Sequence, residues 1–248
     1  MNEFQQVGSG NRRSTGRRRR STAQQWLNEL LVTQLDLRGS GLNVVDLGGG
    51  TGGIAAALAE AGHTVLVIDP SPDALAATQR RAAERELSDR MTAVQGDTGT
   101  LAEIVPPGSV DVFTFHRVLD RREGTAEALA AMATTLKPGG LLSIVINQRL
   151  PWVWQQAEAG NFDVAREILQ DGGLLDRPVL LDLLAAGGWE VLAEHGVGVI
   201  ADQVPEAAAE GHSDELLELE AAAAGNSAYL ESATRLHVLA THSGAAAD

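Results

Sequence analysis

The glycine-rich stretch Asp46-Leu47-Gly48-Gly49-Gly50-Thr51-Gly52-Gly53 is the most informative part of this 248-residue sequence. It follows a short apolar run at residues 43–47 and precedes a helical pattern at 54–60, so we predict a strand, a loop and a helix in succession. Residues without a Cβ atom let the backbone turn tightly and approach a ligand closely, and the N-terminus of the next helix supplies amide donors. The loop therefore predicts a nucleotide-like ligand, and Gly48, Gly50 and Gly53 also satisfy the dinucleotide pattern G-x-G-x-x-G.

Short apolar runs alternate with helical patterns over the first 150 residues. We predict further strands at 64–68, 91–95, 110–115 and 141–146 and helices at 21–35, 71–87 and 125–136. Ser71, Pro72 and Asp73 have the residue types of an N-cap, a first helical position and a first-turn acid. This alternation predicts an α/β fold with a doubly wound, Rossmann-like, mainly parallel sheet and helices on both faces.

The pattern changes after residue 147. We predict two short helices at 151–173, a helix at 177–186, a solvent-facing acidic helix at 213–223 and strands at 189–200 and 235–241. Trp152 and Trp154 are expected to pack in the core or in a lid, with a base-stacking pocket as the alternative, and His237 is expected to be structural. The predicted organisation is a basic flexible arm at 1–20 and one domain at 21–248, with a cofactor-binding half at about 43–147 and substrate or cap elements at about 148–234.

The composition excludes several classes of protein. The chain has no cysteine, which excludes disulfide scaffolds, zinc–cysteine sites, iron–sulfur clusters and cysteine nucleophiles. Because it has neither an apolar run that could span a bilayer nor another metal-ligand spacing, we expect no membrane partner, no metal and a cytoplasmic location. The net charge is −14, although residues 1–20 hold six arginines and one acid, and an acidic body with a basic arm is not typical of nucleic-acid binders.

Polar residues mark the ends of the predicted strands. Asp46 precedes the first glycine by two residues, Asp69 ends the second strand, Asp97 follows the third and His116 ends the fourth. A Lys-Pro-Gly-Gly turn at 137–140 precedes the fifth strand. In this order the series resembles the class I S-adenosylmethionine-dependent methyltransferases over residues 43–147. An NAD-type site would explain the glycines and the acid after the second strand, but not the acid after the third strand or the turn.

This resemblance implies a fold, a cofactor and a set of site residues. The fold would be a seven-stranded sheet whose last strand, near 236–240, is inserted antiparallel, and the cofactor would be S-adenosyl-L-methionine. The methionine moiety would be held by Asp46, Gly48, Gly49 and Gly50, the ribose by Asp69 and the adenine by Asp97 and Thr98, while His116 would face the cofactor.

A narrower resemblance covers nearly the whole chain. Segments at 45–50, 115–119, 160–163, 196–199, 216–220 and 236–238 are similar to the bacterial tRNA 5-carboxymethoxyuridine methyltransferase family. That family esterifies the carboxylate of a modified wobble uridine, a nucleophile that is already ionised at neutral pH and needs no general base. The resemblance makes His116 and Arg117 the candidate catalytic residues and places Arg20 at the cofactor carboxylate. Because arginine pairs well with carboxylates, Arg117, Arg121, Arg122 and Arg149 are candidates for holding the acceptor.

The methyl acceptor stays open at this point. The resemblance favours tRNA, but an acidic body supplies little of the positive charge that binds phosphates, so a small carboxylate or hydroxyl metabolite is the alternative. Binding of S-adenosylmethionine without turnover is a further alternative. A homodimer is also compatible with the sequence.

Overall fold

Seven strands form the centre of the molecule. The computed structural model describes residues 22–119 and 121–242. The strands are β1 (Asn43–Leu47), β2 (Thr64–Asp69), β3 (Met91–Gln95), β4 (Val110–His116), β5 (Leu136–Asn147), β6 (Trp189–Val197) and β7 (Arg235–His242). They form one sheet in the order β3-β2-β1-β4-β5-β7-β6, and β7 runs antiparallel to both of its neighbours. The predicted Rossmann-like sheet with an inserted antiparallel last strand is confirmed.

Helices surround this sheet. Those in the described parts of the chain are α1 (Thr22–Asp36), α2 (Gly53–Glu60), α3 (Pro72–Glu84), α4 (Leu101–Ile104), α5 (Thr125–Thr135), α6 (Arg149–Glu158), α7 (Phe162–Gln170), α8 (Arg177–Ala186), α9 (Glu206–Ala209), α10 (Ser213–Ala224) and α11 (Ser227–Leu230). The predicted start of α3 is confirmed, because the Ser71 hydroxyl accepts a hydrogen bond from the Ala74 amide at 3.3 Å. Within the described ranges, no helix has the length and apolar character that a membrane span requires.

Apolar residues cover both faces of the sheet. On one face, Phe113 and Phe115 of β4 pack in a cluster with side chains of α5 and α8. On the other face, Leu27 and Leu31 of α1 pack with Val112 and with residues of α2. Each fully buried side chain of this size contributes about 1.5–3 kcal/mol to stability. The two layers hold the strand ends rigidly, and the loops at those ends form the site described below.

Three of the boundaries that differ from the sequence prediction have a clear structural reason. β5 begins at Leu136 rather than at 141, because Leu136 already pairs with Val110 of β4. The register shifts across the Lys-Pro-Gly-Gly segment, and regular pairing resumes between Val112 and Leu141. α3 ends at Glu84 rather than at 87, because Glu86 takes a left-handed conformation with a φ of 60°. β6 ends at Val197, and the backbone amides of residues 198–201 turn instead around the side chain of Glu220.

Candidate active site

The carboxyl ends of five parallel strands lie along one edge of the sheet. The strand order places Asp97, Asp69, the glycine loop at 48–53, His116 and Asn147 one after another along that edge. Ligands of open α/β sheets bind at this edge, next to the point where the strand order reverses. In this sheet the reversal lies between β1 and β4. Residues that come from separate sequence motifs therefore share one edge of the molecule.

The glycine loop presents bare backbone at this edge. Gly48 and Gly50 have positive φ angles of 71° and 56°, which residues with side chains rarely adopt. A Cβ atom at Gly49 would overlap Oδ2 of Asp46, whereas a Cβ atom at Gly50 would meet nothing within 4 Å. The loop is therefore closely packed at Gly49 and open at Gly50, where a ligand can approach the backbone.

Asp69 lies at the end of β2 and ties the loop to it. Its Oδ2 accepts a hydrogen bond from the Gly50 amide at 2.8 Å, and its Oδ1 accepts one from the Ser71 amide at 2.9 Å. Each carboxylate oxygen has a second lone pair, so the side chain can still accept from the two hydroxyls of a ribose.

Asp46 lies beneath the loop with an incomplete set of partners. Its Oδ1 accepts a hydrogen bond from the Thr114 hydroxyl at 2.7 Å, and its Oδ2 is buried without a partner among the described residues. Burial raises the pKa of Asp46 to about 6. The hydrogen bond from Thr114 opposes this rise, the negative charge of Asp69 adds to it, and the backbone amide of Ala55 opposes it to a smaller extent. A positively charged group near Asp46 would favour its ionised form.

Asp97 and Thr98 follow β3 at the far end of the same edge. Asp97 is exposed, and its Oδ1 accepts hydrogen bonds from the backbone amides of Gly99 and Thr100 at 2.9 and 3.1 Å. These bonds fix the turn after the strand, and Thr98 lies half-buried within it. Both residues are therefore held where an adenine could reach them.

His116 ends β4 between the loop and the end of β5. Its Nε2 lies 2.7 Å from the Ser143 hydroxyl, and its Nδ1 is buried without a partner in the described chain. Burial lowers the pKa of His116 to about 3, and the charges of Arg117 and Arg235 lower it further. His116 is consequently a neutral imidazole at pH 7.

A cleft of about 650 Å³ opens beside the end of β5. It is lined by residues that follow β5, by α6 and by the segment at 202–203, including Asn147, Arg149, Trp152, Trp154 and Asp202. The side chains of Trp152 and Trp154 are 44% and 47% exposed, and α6 buries none of its residues. The expectation that these tryptophans pack in the core is therefore wrong, and they line the cleft instead.

The candidate arginines lie in different surroundings. Arg121 and Arg149 line the cleft, and each already pairs with an acid at 2.9 Å, Asp171 and Asp176 respectively. Arg122 lines a separate hollow beside α5.

Arg117 stands at the active-site edge itself, directly after His116. It takes a left-handed φ of 59°, its amide donates to the Val145 carbonyl at 2.8 Å, and its side chain is exposed. A non-glycine residue in this conformation at a strand end is typical of functional sites. Arg20 lies outside the described residues, as does the predicted arm at 1–20.

Several buried polar residues around the site have no motif in the sequence. Thr114 contacts Asp46, and Ser143, His195 and His237 continue the contacts of His116 across the sheet. Their role depends on the strand order β4-β5-β7-β6, which brings together residues far apart in the chain. The one feature of the sequence that could have identified them is that they are polar residues within otherwise apolar strands.

Comparisons with known proteins agree with this geometry. Residues 44–140 match the family model of a methyltransferase domain. The chain is 28% identical over 208 residues to tRNA 5-carboxymethoxyuridine methyltransferase of Escherichia coli K12, covering 80% of this chain and 79% of that protein. Its fold is similar to magnesium protoporphyrin IX methyltransferase from Synechocystis (TM-score 0.60, 17% identity, 89% and 84% of the two chains) and to the cyclase SpnF (TM-score 0.60, 20% identity, 88% and 81%).

The site residues fit the cofactor of this class. The open backbone at Gly50 admits a ligand, Asp69 offers acceptors suited to a ribose, and the orphaned Oδ2 of Asp46 suits a cationic donor such as the ammonium group of a methionine moiety. The matched domain covers the glycine loop and the ends of the first three strands. Residues 44–140 form a methyltransferase domain with a Rossmann-like fold, the residues at its strand ends fit S-adenosylmethionine, and the chain is similar over most of its length to tRNA 5-carboxymethoxyuridine methyltransferase of Escherichia coli.

Proposed function

We propose that this enzyme methylates an oxygen atom, namely the carboxylate of a modified wobble uridine in tRNA. The observation that carries the proposal is the 28% identity to the Escherichia coli enzyme of that name, which extends over 80% of this chain and so includes part of the chain beyond the matched domain. The chain after β5 forms most of the cleft, and we assign acceptor selection to this part of the molecule.

We assign the cofactor-binding roles to the edge formed by β1, β2 and β3. Asp46, Gly48, Gly49 and Gly50 hold the methionine moiety, Asp69 holds the ribose, and Asp97 and Thr98 meet the adenine. When bound, S-adenosylmethionine supplies a methyl group on a sulfonium. The contribution of the chain is alignment and electrostatics, and good alignment alone is worth about 7–11 kcal/mol of the barrier.

We assign the acceptor to the cleft beside β5. The half-exposed rings of Trp152 and Trp154 offer stacking surfaces for a base, and such stacking contributes about 1–3 kcal/mol per base. Arg117 is exposed next to His116, and its guanidinium suits a carboxylate. Since a carboxylate is already ionised at pH 7, no side chain has to remove a proton.

The distribution of charge favours a second candidate. With a net charge of −14, most of the surface repels phosphates, and only the six arginines of residues 1–20 offer a concentrated positive segment. A small carboxylate or hydroxyl metabolite in the cleft avoids this repulsion. The two candidates differ in their dependence on residues 1–20, because only tRNA needs that segment to neutralise phosphates.

Labelled S-adenosylmethionine separates these candidates. The purified protein is added to extract from a strain that lacks it, and label is counted in the tRNA and small-metabolite fractions. The proposal expects label in tRNA that mild alkali releases, because a methyl ester is hydrolysed under those conditions. Label only among small molecules supports the second candidate. No label in either fraction contradicts both and favours binding without turnover, provided that a known methyltransferase is active in the same extract.

Two variants sharpen the test of the acceptor site. The double substitution Trp152→Ala and Trp154→Ala is expected to lower transfer to tRNA about 10-fold or more through a raised KM. Phe162→Ala is the matched control, since this ring is 70% exposed on α7 and is not part of the cleft lining. Equal activity of the double variant and the control would contradict the assignment of the cleft. Deletion of residues 1–20 is expected to weaken transfer to tRNA.

A further inference from the structure

A row of polar side chains crosses the sheet from the active-site edge. It consists of His116 on β4, Ser143 on β5, His237 on β7 and His195 on β6, and these four strands are neighbours in the sheet. Ser143 and His237 are completely buried. Buried polar groups need hydrogen-bond partners, and these four residues supply them to one another. We call them the histidine row.

Each link of the histidine row has hydrogen-bond geometry. Nε2 of His116 lies 2.7 Å from the Ser143 hydroxyl oxygen, which lies 2.9 Å from Nε2 of His237. Nδ1 of His237 lies 3.2 Å from Nδ1 of His195. The His195 ring is half-buried and packs edge-on against Trp26 of α1, with 5.9 Å between the ring centroids. The row therefore runs without a gap from the active-site edge to α1.

The three imidazoles are neutral at pH 7. Burial lowers the pKa of His116, His237 and His195, and the mutual repulsion of their charged forms adds to the effect at His237. A neutral imidazole carries one N–H and one lone pair, and a hydroxyl donates one hydrogen. Each hydrogen bond in the row therefore contains one hydrogen. Which of its two atoms is the donor depends on the donors in the neighbouring hydrogen bonds.

These rules leave two arrangements of the hydrogens. In the first, His195 donates to His237, His237 donates to Ser143, and the Ser143 hydroxyl donates to Nε2 of His116, so that Nδ1 of His116 carries a hydrogen. In the second, every link is reversed and Nδ1 of His116 carries a lone pair. The tautomer of His116 is thus coupled to residues on β5, β7 and β6.

We propose that Ser143, His237 and His195 are positioning residues that hold His116 as its Nδ1–H tautomer, so that Nδ1–H donates a hydrogen bond to the carboxylate of the methyl acceptor. This inference rests on the proposed function, since a carboxylate offers only acceptor oxygens. Nδ1 of His116 is buried without a hydrogen-bond partner among the described residues, and His116 ends β4, the strand between β1, which leads into the glycine loop, and β5, whose end lines the cleft. The charges of Arg117 and Arg235 near His116 also favour an anion at this position.

Nitrogen NMR of the free protein labelled with ¹⁵N-histidine tests the tautomer, because protonated and bare ring nitrogens resonate far apart. Signals are assigned with single variants such as His195→Gln. The expected pattern is a hydrogen on Nδ1 of His116, on Nε2 of His237 and on Nδ1 of His195. Protonation of His116 at Nε2 would overturn the proposal. No substrate is present, so the expected pattern supports the arrangement of hydrogens even where tRNA takes no label and the proposed function fails.

Ser143→Ala tests the coupling, because it removes the link between His116 and His237 with a small change in volume. We expect a mixture of His116 tautomers in the nitrogen spectrum. We also expect the KM for the acceptor to rise about 10-fold, while the Kd of S-adenosylhomocysteine stays within about 2-fold. Thr135→Val is the control, since it removes a buried hydroxyl that bonds to the Met132 carbonyl on α5. An unchanged His116 spectrum in Ser143→Ala, or the same rise in KM in Thr135→Val, would overturn the proposal.

Discussion

Two buried carboxylates, Asp46 under the glycine loop and Glu220 on α10, have very different surroundings. Glu220 is fully buried and accepts four backbone hydrogen bonds of 2.6 to 3.0 Å from residues 198–201. Asp46 is also buried, but one of its oxygens has no partner among the described residues, and its pKa is raised to about 6. A carboxylate surrounded by donors stabilises a loop, whereas a carboxylate short of donors costs stability and suits a position where a charged ligand completes it.

The largest effect is expected for Glu220→Gln. An amide group offers one acceptor oxygen in place of two, so two of the four backbone amides would face an NH₂ group. Removing one side of a buried charge interaction typically costs about 3–5 kcal/mol, and we expect a loss of that size in the free energy of unfolding, measured in urea.

Glu218→Gln is the matched control for this variant. Glu218 is exposed on the same helix, and its replacement is expected to change stability by less than about 0.5 kcal/mol. A similar small change for Glu220→Gln would show that the four hydrogen bonds do not hold the loop after β6. The inference that a carboxylate surrounded by donors stabilises this loop would then be contradicted.

Asp46→Asn tests the cost of the carboxylate that is short of donors, through the pH dependence of stability. The pKa of Asp46 is raised from 3.8 to about 6, so the folded state binds this proton more tightly than the unfolded state. Ionisation of Asp46 therefore destabilises the folded wild-type protein. This destabilisation is absent below the unfolded pKa of 3.8, grows as the pH rises and is complete above about pH 6. Asn does not titrate. Relative to the wild type, the variant is expected to gain about 2–2.5 kcal/mol as the pH rises from about 4 to 7.

Urea unfolding of both proteins at several pH values measures this difference. The histidines whose pKa values burial lowers also titrate on unfolding, but they are present in both proteins and cancel in the difference. A stability difference that does not vary with pH would contradict the raised pKa of Asp46. S-adenosylhomocysteine is also expected to bind Asp46→Asn more weakly, which would show that the unpartnered carboxylate serves the ligand.

Asp69 stands between the two extremes, since it accepts two backbone hydrogen bonds and still faces the open edge. Asp69→Asn is expected to raise the Kd of S-adenosylhomocysteine about 10- to 100-fold, because an amide cannot accept from both ribose hydroxyls. Isothermal titration calorimetry measures this change. Asp73→Asn, an exposed acid in the first turn of α3, is the control and is expected to leave the Kd unchanged. Equal Kd values of S-adenosylhomocysteine for the two variants would contradict a role of Asp69 in binding the ribose.

The same contrast explains how far the sequence alone leads. The glycine loop, Asp69 and the start of α3 are predictable because local backbone geometry determines them, and residues a few positions apart carry the signal. The α10 helix was predicted at nearly the correct bounds and was expected to face solvent, yet one of its acids, Glu220, is fully buried. Nothing in an acidic, alanine-rich segment shows that four amides from a distant loop surround one of its acids.

The surroundings of the tryptophans and of the histidine row are likewise set by contacts between distant parts of the chain. Trp152 and Trp154 were expected to pack in the core or in a lid, but α6 borders the cleft and packs no residue into the core. Ser143 and His237 are 94 residues apart in the chain and meet only because β7 inserts beside β5. The cofactor half of the site is thus readable from short-range motifs, whereas the acceptor half depends on contacts that only the folded sheet creates.

The smallest effect is expected for Thr114→Val, which makes Asp46 still less like Glu220. The Thr114 hydroxyl donates the 2.7 Å hydrogen bond to Oδ1 of Asp46, and valine preserves the shape of the side chain without the donor. We expect a loss of about 1–2 kcal/mol in the free energy of unfolding at pH 7, because a hydrogen bond to an ionised group is lost.

The loss should shrink toward pH 4, where Asp46 is protonated and the bond is weaker. It should also shrink in the Asp46→Asn background, so a double-mutant cycle measured by urea unfolding isolates the pair. Losses that add up fully in the double variant would show that Thr114 supports the strand and not the charge of Asp46.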